Sequence, residues 1–396
     1  MFRQKRTAVK TVVVSISMMF LLITGFAFSA SARDCSTDSD YTYWKTVGRQ
    51  AATKAVKMLS RSSHRFNGAK GYIALTNAGY AEVDEQSTMA ALDGLVQVLG
   101  VGRGDNSLVE IHSAAEKALW FAVYQPRSGY CAYLEVDPDA VYAGCCGKHK
   151  KSSQFFSTTA CEKINAEHLY ANEEIYAEKF DAEIFGGNEF RIVTIANAVA
   201  EGAPVYAIRA FEFHDHYCPG VTSGIIEALY AKSYFSNPGG SYFVHTVQPW
   251  CKEDAFLSML NATPGKRGYA VAYATDADID GWPEWADGDG VGDVGVSADT
   301  IVYYQDPDSG VWDGIVLGFD WADLSDTCGN YTNSTINKLC MDLYYLEKMD
   351  EPETFVKVLA EFELNGSVVP KSLARPGVDT INVLESNAAS FATPEE

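Results

Sequence analysis

One pattern of residues occurs twice in this chain, and a repeat of that length restricts the fold to two copies of one unit. Residues 119–130 read as a strand ending in Tyr124-Gln125, a turn with Pro126 and Ser128-Gly129, and the start of a second strand. Residues 300–311 repeat this with Tyr304-Gln305, Pro307 and Ser309-Gly310. Two β-rich runs around a Pro/Gly turn predict a hairpin. The parallel extends upstream. Residues 71–76 match 241–246 as a strand, and Asp93-Gly94-Leu95 matches Asp254-Ala255-Phe256 at a helix start. Gly102-Arg103-Gly104 matches Gly265-Lys266-Arg267-Gly268, and residues 48–59 match the helix from Gly220. Each copy reads helix, strand, helix, then strands joined by hairpins. The expectation is an α+β fold of two-layer modules, with mainly antiparallel sheet and packed helices. The duplication is expected to form a pseudo-dimer by intramolecular pairing of the modules.

The chemistry is not repeated. The second copy contains Phe213-His214-Asp215-His216-Tyr217-Cys218-Pro219-Gly220. His214, His216 and Cys218 alternate, so an extended strand would point all three to one side. Pro219-Gly220 turns into an apolar periodic run, residues 221–234, which predicts a helix. Cys218 would then sit at a helix N-terminus, where the macrodipole favours a thiolate. Cys251 precedes a second predicted helix that ends near Asn261, before Pro264-Gly265-Lys266. Together these supply a Cys₂His₂ set suited to zinc. A single buried His or Cys is ordinary core; three on one face at a helix start are hard to explain by packing alone. In the first copy Ala90 stands where Cys251 would align, Tyr43-Trp44-Lys45 precedes the corresponding helix, and no His-x-His occurs. That copy reads as a degenerate module packed against the active one.

FHDHYCPG, followed by a helix, a strand, the WCKEDA helix start and the TPGK turn, resembles the FmdE-like family, which takes its name from formylmethanofuran dehydrogenase, over about residues 190–320. His214, His216, Cys218, Cys251 and Asp254 each match a motif position. The resemblance implies a metal-binding α+β domain, usually zinc, whose members pair. Asp254 and Asp215 are candidates to orient an imidazole or act as a base, with Glu212 behind them. Cys218, Asp254 and Asp215 are therefore the candidate catalytic residues. Tyr217 and Trp250 flank the ligands and could wall a pocket or pack in the core. Three functions fit: a metal-dependent enzyme or accessory protein; a non-catalytic carrier of a metal, a metallo-cofactor or a small ligand; and a redox protein cycling Cys218 and Cys251, which requires the two helix starts to meet.

The second copy also carries an acidic insertion, residues 276–299. Asp276, Asp278, Asp280 and Gly281 match the first half of a calcium loop, with Asp287 at the twelfth position and Asp289 and Asp293 beyond it. The loop is a candidate calcium site, and equally a lid over the metal site or a solvated acidic loop. Sequon patterns at Asn261, Asn330, Asn333 and Asn365 are too short to carry weight.

Arg3, Lys5, Arg6 and Lys10, the apolar residues 12–28 and Ala30-Ser31-Ala32 form a secretory leader, cleaved after Ala32. An uncleaved anchor is the alternative; no second membrane segment occurs. The net charge of −21 disfavours nucleic acid and anionic membranes as partners and suits a soluble exported protein. Export permits disulfides. Of nine Cys, 328 and 340 form a short-range pair, while 131, 145, 146 and 161 cluster, with Cys145-Cys146-Gly147-Lys148-His149 a lesser candidate for a second metal. The domain expectation is a leader over 1–32, the degenerate module over 38–145, a connecting region over 146–188, the metal-binding module over 189–325, and C-terminal helices with a frayed tail over 326–396. No Gly-rich phosphate loop, Gly-x-Ser-x-Gly elbow, CxxCH haem site or iron–sulfur Cys spacing is present.

Overall fold

The computed structural model describes residues 37–62, 71–139, 155–288, 296–329 and 331–394. The leader, Cys35, Cys145, Cys146, His149, Asp289, Asp293 and Asn330 lie outside them. Among the described residues, no helix is long and apolar enough to cross a membrane.

The N-terminal half opens with the helix Thr37–Ser62. It continues through β1 (Ile73–Thr76), a small hairpin of β2 (Glu82–Val83) and β3 (Gln86–Ser87), the helix Ala91–Leu99, and β4 (Leu108–Glu110). β5 (Trp120–Gln125), β6 (Tyr130–Val136) and β7 (Phe156–Lys163) follow. These strands form a sheet in the order β4-β1-β5-β6-β7. β1 and β4 run parallel across the helix Ala91–Leu99, and the other neighbours are antiparallel. Every residue of β1 is buried, because both faces of the sheet are covered.

The C-terminal half repeats this plan. The helix Pro219–Tyr234 leads to β8 (Ser241–Thr246), the helix Glu253–Met259 and β9 (Tyr269–Val271). Two short helices of the insertion follow, Asp276–Ile279 and Glu284–Asp287, then β10 (Thr300–Gln305) and β11 (Trp312–Phe319). Next come the helix Ser334–Glu347, β12 (Val356–Leu364), the helix Thr380–Asn387 and β13 (Ala388–Ala392). The sheet order is β9-β8-β10-β11-β12-β13, with β8 and β9 parallel across the helix Glu253–Met259. Both halves therefore share strand order and direction, and the fold is α+β with mostly antiparallel sheet.

Three apolar cores separate the layers. Trp44, Ala74, Phe121 and Leu134 fill the first, between the helix Thr37–Ser62 and the first sheet. The second joins the other face of that sheet (Leu75, Trp120, Tyr133) to the helices Glu189–Ala200, Val205–His214 and Pro219–Tyr234, and through them to Val244, Val302 and Leu317 of the second sheet. The third lies on the outer face of the second sheet, around Phe243, Ile301, Tyr303 and Leu384. The first sheet thus presents its face away from its own helix pair to the shared core, while the second presents its helix-pair face. Stacking is head to tail. A two-fold pseudo-dimer would have joined like faces.

Several segments differ from expectation. β7 lies past residue 145 yet pairs with β6, so the first sheet reaches into the connecting region. Residues 356–364, expected to be helical, form β12: Phe362 and Leu364 are buried and Glu361 and Glu363 exposed, a period of two that belongs to a strand. Residues 380–392, expected to fray, form a helix and a strand, because Ile381 and Leu384 pack into the third core. Cys328 and Cys340 form a disulfide, Cα–Cα 5.7 Å, pinning the preceding loop to the helix Ser334–Glu347. Cys131 and Cys161 are free and face different cores.

Candidate metal centre

The His-x-His-x-Cys run is not a strand. His214 is the last residue of the helix Val205–His214, and Asp215 caps it with φ +74°. Asp tolerates the left-handed region through its short polar side chain. The chain reverses, and Cys218 is the extended N-cap residue of the helix Pro219–Tyr234, with Pro219 at its first position. Alternation brought the three donors together in sequence; a tight helix–turn–helix brings them together in space. Cys251 arrives from the loop after β8, just ahead of the helix Glu253–Met259.

One donor atom from each of His214, His216, Cys218 and Cys251 lies within 4.8 Å of all the others. Cys218 Sγ is 4.0 Å from His214 Nε2, and the two imidazole centroids are 4.3 Å apart. Cys218 is buried and the other three are partly buried. His214 Nδ1 lies 2.7 Å from Asp254 Oδ2, and His216 Nδ1 lies 2.6 Å from Asp215 Oδ1. With both Nδ1 atoms taken, both Nε2 atoms are left for an ion. This is the carboxylate–histidine arrangement that fixes the tautomer at metal sites. The donors lie close enough together that one metal ion could bind all four.

The electrostatics agree. Hydrogen bonds from Cys218, His214 and His216 pull the Cys251 thiol down to about 3. Cys218, which donates to that thiolate and is itself buried, is pushed up. Burial works against charge on His214, but Asp254 and Cys251 outweigh it and lift the imidazole to about 9. His216 is raised too, by Asp215 and Cys251 against burial. Without an ion, protons hold the cluster together; a divalent cation would displace them.

Behind the ligands are residues the sequence did not single out. Arg191 donates to Asp215 Oδ2 at 3.0 Å and to Asn188 Oδ1 at 2.8 Å, steadying the carboxylate that steadies His216. Glu212 orients no imidazole: Arg103 of the first half grips it at 3.0 and 3.1 Å, Arg209 pairs with it, and its carbonyl accepts from His112 N–H. Lys252, next to Cys251, is buried and paired with Asp299 at 3.0 Å. Tyr217 is a core residue, whereas Trp250 is 57% exposed and packs edge-on against Trp321. A cavity of about 320 Å³ reaches Asp215 from the other side, lined by Asn77, His112, Lys117 and Trp120 of the first half and by Arg191.

Among its described residues, the first half has no such cluster. A Cβ on Gly48 would meet the Ala91 carbonyl oxygen as one on Gly224 would meet that of Lys252, so these two glycines hold like places in their helix pairs, four residues from the sequence match of residue 48 with Gly220. Four residues before them stand Trp44 and Gly220. Gly220 lies against Cys251, where a Cβ would meet the cysteine Cβ at 2.8 Å. Trp44 is buried, with its indole N–H on Gln86 Oε1 at 3.2 Å.

The acidic insertion forms no second centre among the described residues. Asp278 is spent capping its own helix, accepting from Thr275 N–H and Oγ1–H at 2.8 and 2.7 Å. Asp276, Asp280 and Asp287 do not converge with it on one point.

Residues 213–277 match the family model described as FmdE, Molybdenum formylmethanofuran dehydrogenase operon. This segment is FmdE-like. The match contains all four donors and Asp254. No curated protein matches the chain.

Proposed function

We propose that this is an exported zinc-binding protein of the FmdE-like family, whose His214, His216, Cys218 and Cys251 hold one zinc ion. The observation that carries this is the convergence of one donor atom from each imidazole with both sulfurs, with each Nδ1 anchored on a carboxylate. Thiolates with imidazoles select zinc over the harder cations. If all four donors bind, the ion is closed and structural; if one leaves, the ion supplies an open Lewis-acid position. Asp215 and Asp254 orient the imidazoles in either case. The cavity at Asp215 is lined by none of the four donors but ends on the carboxylate that holds His216, and on that link we place the protein as a metal-dependent enzyme or carrier. The disulfide Cys328–Cys340 and the leader-like N-terminus support export. A redox role for Cys218 and Cys251 leaves the two anchored imidazoles without a purpose.

Cobalt substitution tests this. Tetrahedral cobalt with two thiolates is expected to give intense visible d–d bands and a sulfur-to-metal charge-transfer band in the full chain. The charge-transfer band should halve in Cys251→Ser. Weak octahedral bands in the parent protein would overturn the assignment.

A further inference from the structure

On the outer face of the second sheet, opposite the helix Pro219–Tyr234, a cavity of about 440 Å³ opens between β8, the acidic insertion and the segment before the helix Thr380–Asn387. That volume is within the range of small-molecule sites. His245 of β8 lines it and is only 2% exposed. Its Nδ1 lies 3.2 Å from Thr380 Oγ1, and that hydroxyl donates to the Leu373 carbonyl at 2.9 Å. A hydroxyl has one proton to give. Thr380 therefore accepts from Nδ1–H, which fixes the tautomer and leaves Nε2 a bare acceptor with no hydrogen-bond partner among the described residues. Burial keeps the ring neutral, drawing its pKa down to about 4. His245 lines the cavity, so this acceptor is open to a donor on a ligand held there.

The rest of the lining sets the ligand's shape and charge. Trp282 is buried, and its indole N–H points to Asp379 Oδ2 at 3.2 Å, which leaves the ring for apolar contact. Tyr273, 81% exposed, stands at the mouth. Arg375 is exposed at the rim, and its guanidinium makes no ion pair or hydrogen bond among the described residues. The carboxylates of Asp278 and Asp379 also line the cavity but are held by Thr275 and by Trp282 with Asn382. Because both aspartates already accept hydrogen bonds within the wall, Arg375 is the lining group left to pair with a single carboxylate, and a dianion would add repulsion from the two aspartates.

We propose that this cavity is a second ligand site, separate from the metal centre, which takes an aromatic monocarboxylate bearing a hydroxyl or ring N–H at its far end. The donor meets His245 Nε2, the ring lies against Trp282, and the carboxylate pairs with Arg375. Fluorescence titration of the full chain with 6-hydroxy-2-naphthoate tests it, beside 2-naphthoate, which lacks the donor. Saturable binding is expected, about tenfold weaker for 2-naphthoate, since a site built for a hydroxyl rejects the analogue without one. Arg375→Ala and His245→Asn should each weaken the hydroxylated probe about tenfold, and His245→Asn should erase its advantage over 2-naphthoate. Arg375 is on the surface, so its variant reads out binding even if His245→Asn fails to fold. No saturable binding, equal affinity for the two probes, or an affinity untouched by Arg375→Ala would each overturn the proposal.

Discussion

Two carboxylates govern how the imidazoles of the cluster present themselves. Asp254 holds His214 and Asp215 holds His216, each through Nδ1. Removing such a partner costs roughly 10–100-fold in metal affinity. Asp254→Ala should therefore weaken zinc by that factor in competition with a chromogenic chelator, and an unchanged affinity would mean that His214 needs no anchor. His245 makes a different prediction. Its ordinary value is 6.5 and its folded value about 4, so acid loads the unfolded chain first. Its contribution is complete above about pH 6.5 and declines as pH falls towards 4, by about 3 kcal/mol. The stability gap between the parent and His245→Asn, read by urea unfolding, should narrow between pH 7 and pH 4.5; a constant gap would contradict the buried neutral ring. At this scale the sequence was informative where donors lie close along the chain or match a family motif, as with His214, His216, Cys218 and Asp254. It was silent on Arg191 and Arg103, whose partners Asp215 and Glu212 lie 24 and 109 positions away. A lone Arg carries no signal of which carboxylate it will meet.

Helix pairs, rather than strands, build the cluster. Gly224 lets the helix Pro219–Tyr234 lie against the start of the helix Glu253–Met259; a Cβ there would sit 2.3 Å from the Lys252 carbonyl oxygen. Gly48 plays the same part in the first half, with a Cβ 2.0 Å from the Ala91 carbonyl oxygen. Gly224→Ala and Gly48→Ala should each cost about 1–3 kcal/mol by overpacking. Only Gly224→Ala should also release metal, because it shifts Cys251 against Cys218. Parallel metal analysis and thermal melts separate the two effects, and metal loss in both variants would refute this local account. In the His-x-His-x-Cys run, local helix signals override the alternation. A period of two suits a strand, but Pro204, the buried face of Ala207, Ile208 and Phe211, and a left-handed Asp215 make a helix end. β12 was missed because its alternation begins only after Pro352 and its 3₁₀ turn, next to a long helix.

Across the whole molecule, the halves are tied by Arg103. It grips Glu212, two residues before His214, and also Glu110 at 2.9 Å. Arg103→Ala should cost on the order of 2 kcal/mol, since a nearly buried carboxylate loses charged hydrogen bonds. Chemical denaturation would show it, and a stability within a few tenths of the parent would leave the tie without importance. The α+β class and the repeated order of elements were legible, because hairpin turns and strand lengths are local. The head-to-tail stacking was not: it depends on which sheet face meets the central helices, and both faces of β1 are buried. That the described residues of the first half hold no second centre was legible as Ala90 in place of Cys251; the burial of Trp44 four residues before Gly48 was not.

The account rests on four donors meeting one ion. Elemental analysis of the mature chain, purified without added metal, measures this most directly. One zinc per chain is predicted, lost in both His216→Ala and Cys218→Ala while the disulfide Cys328–Cys340 stays intact. A folded, metal-free protein, or zinc retained in full by both variants, would contradict it.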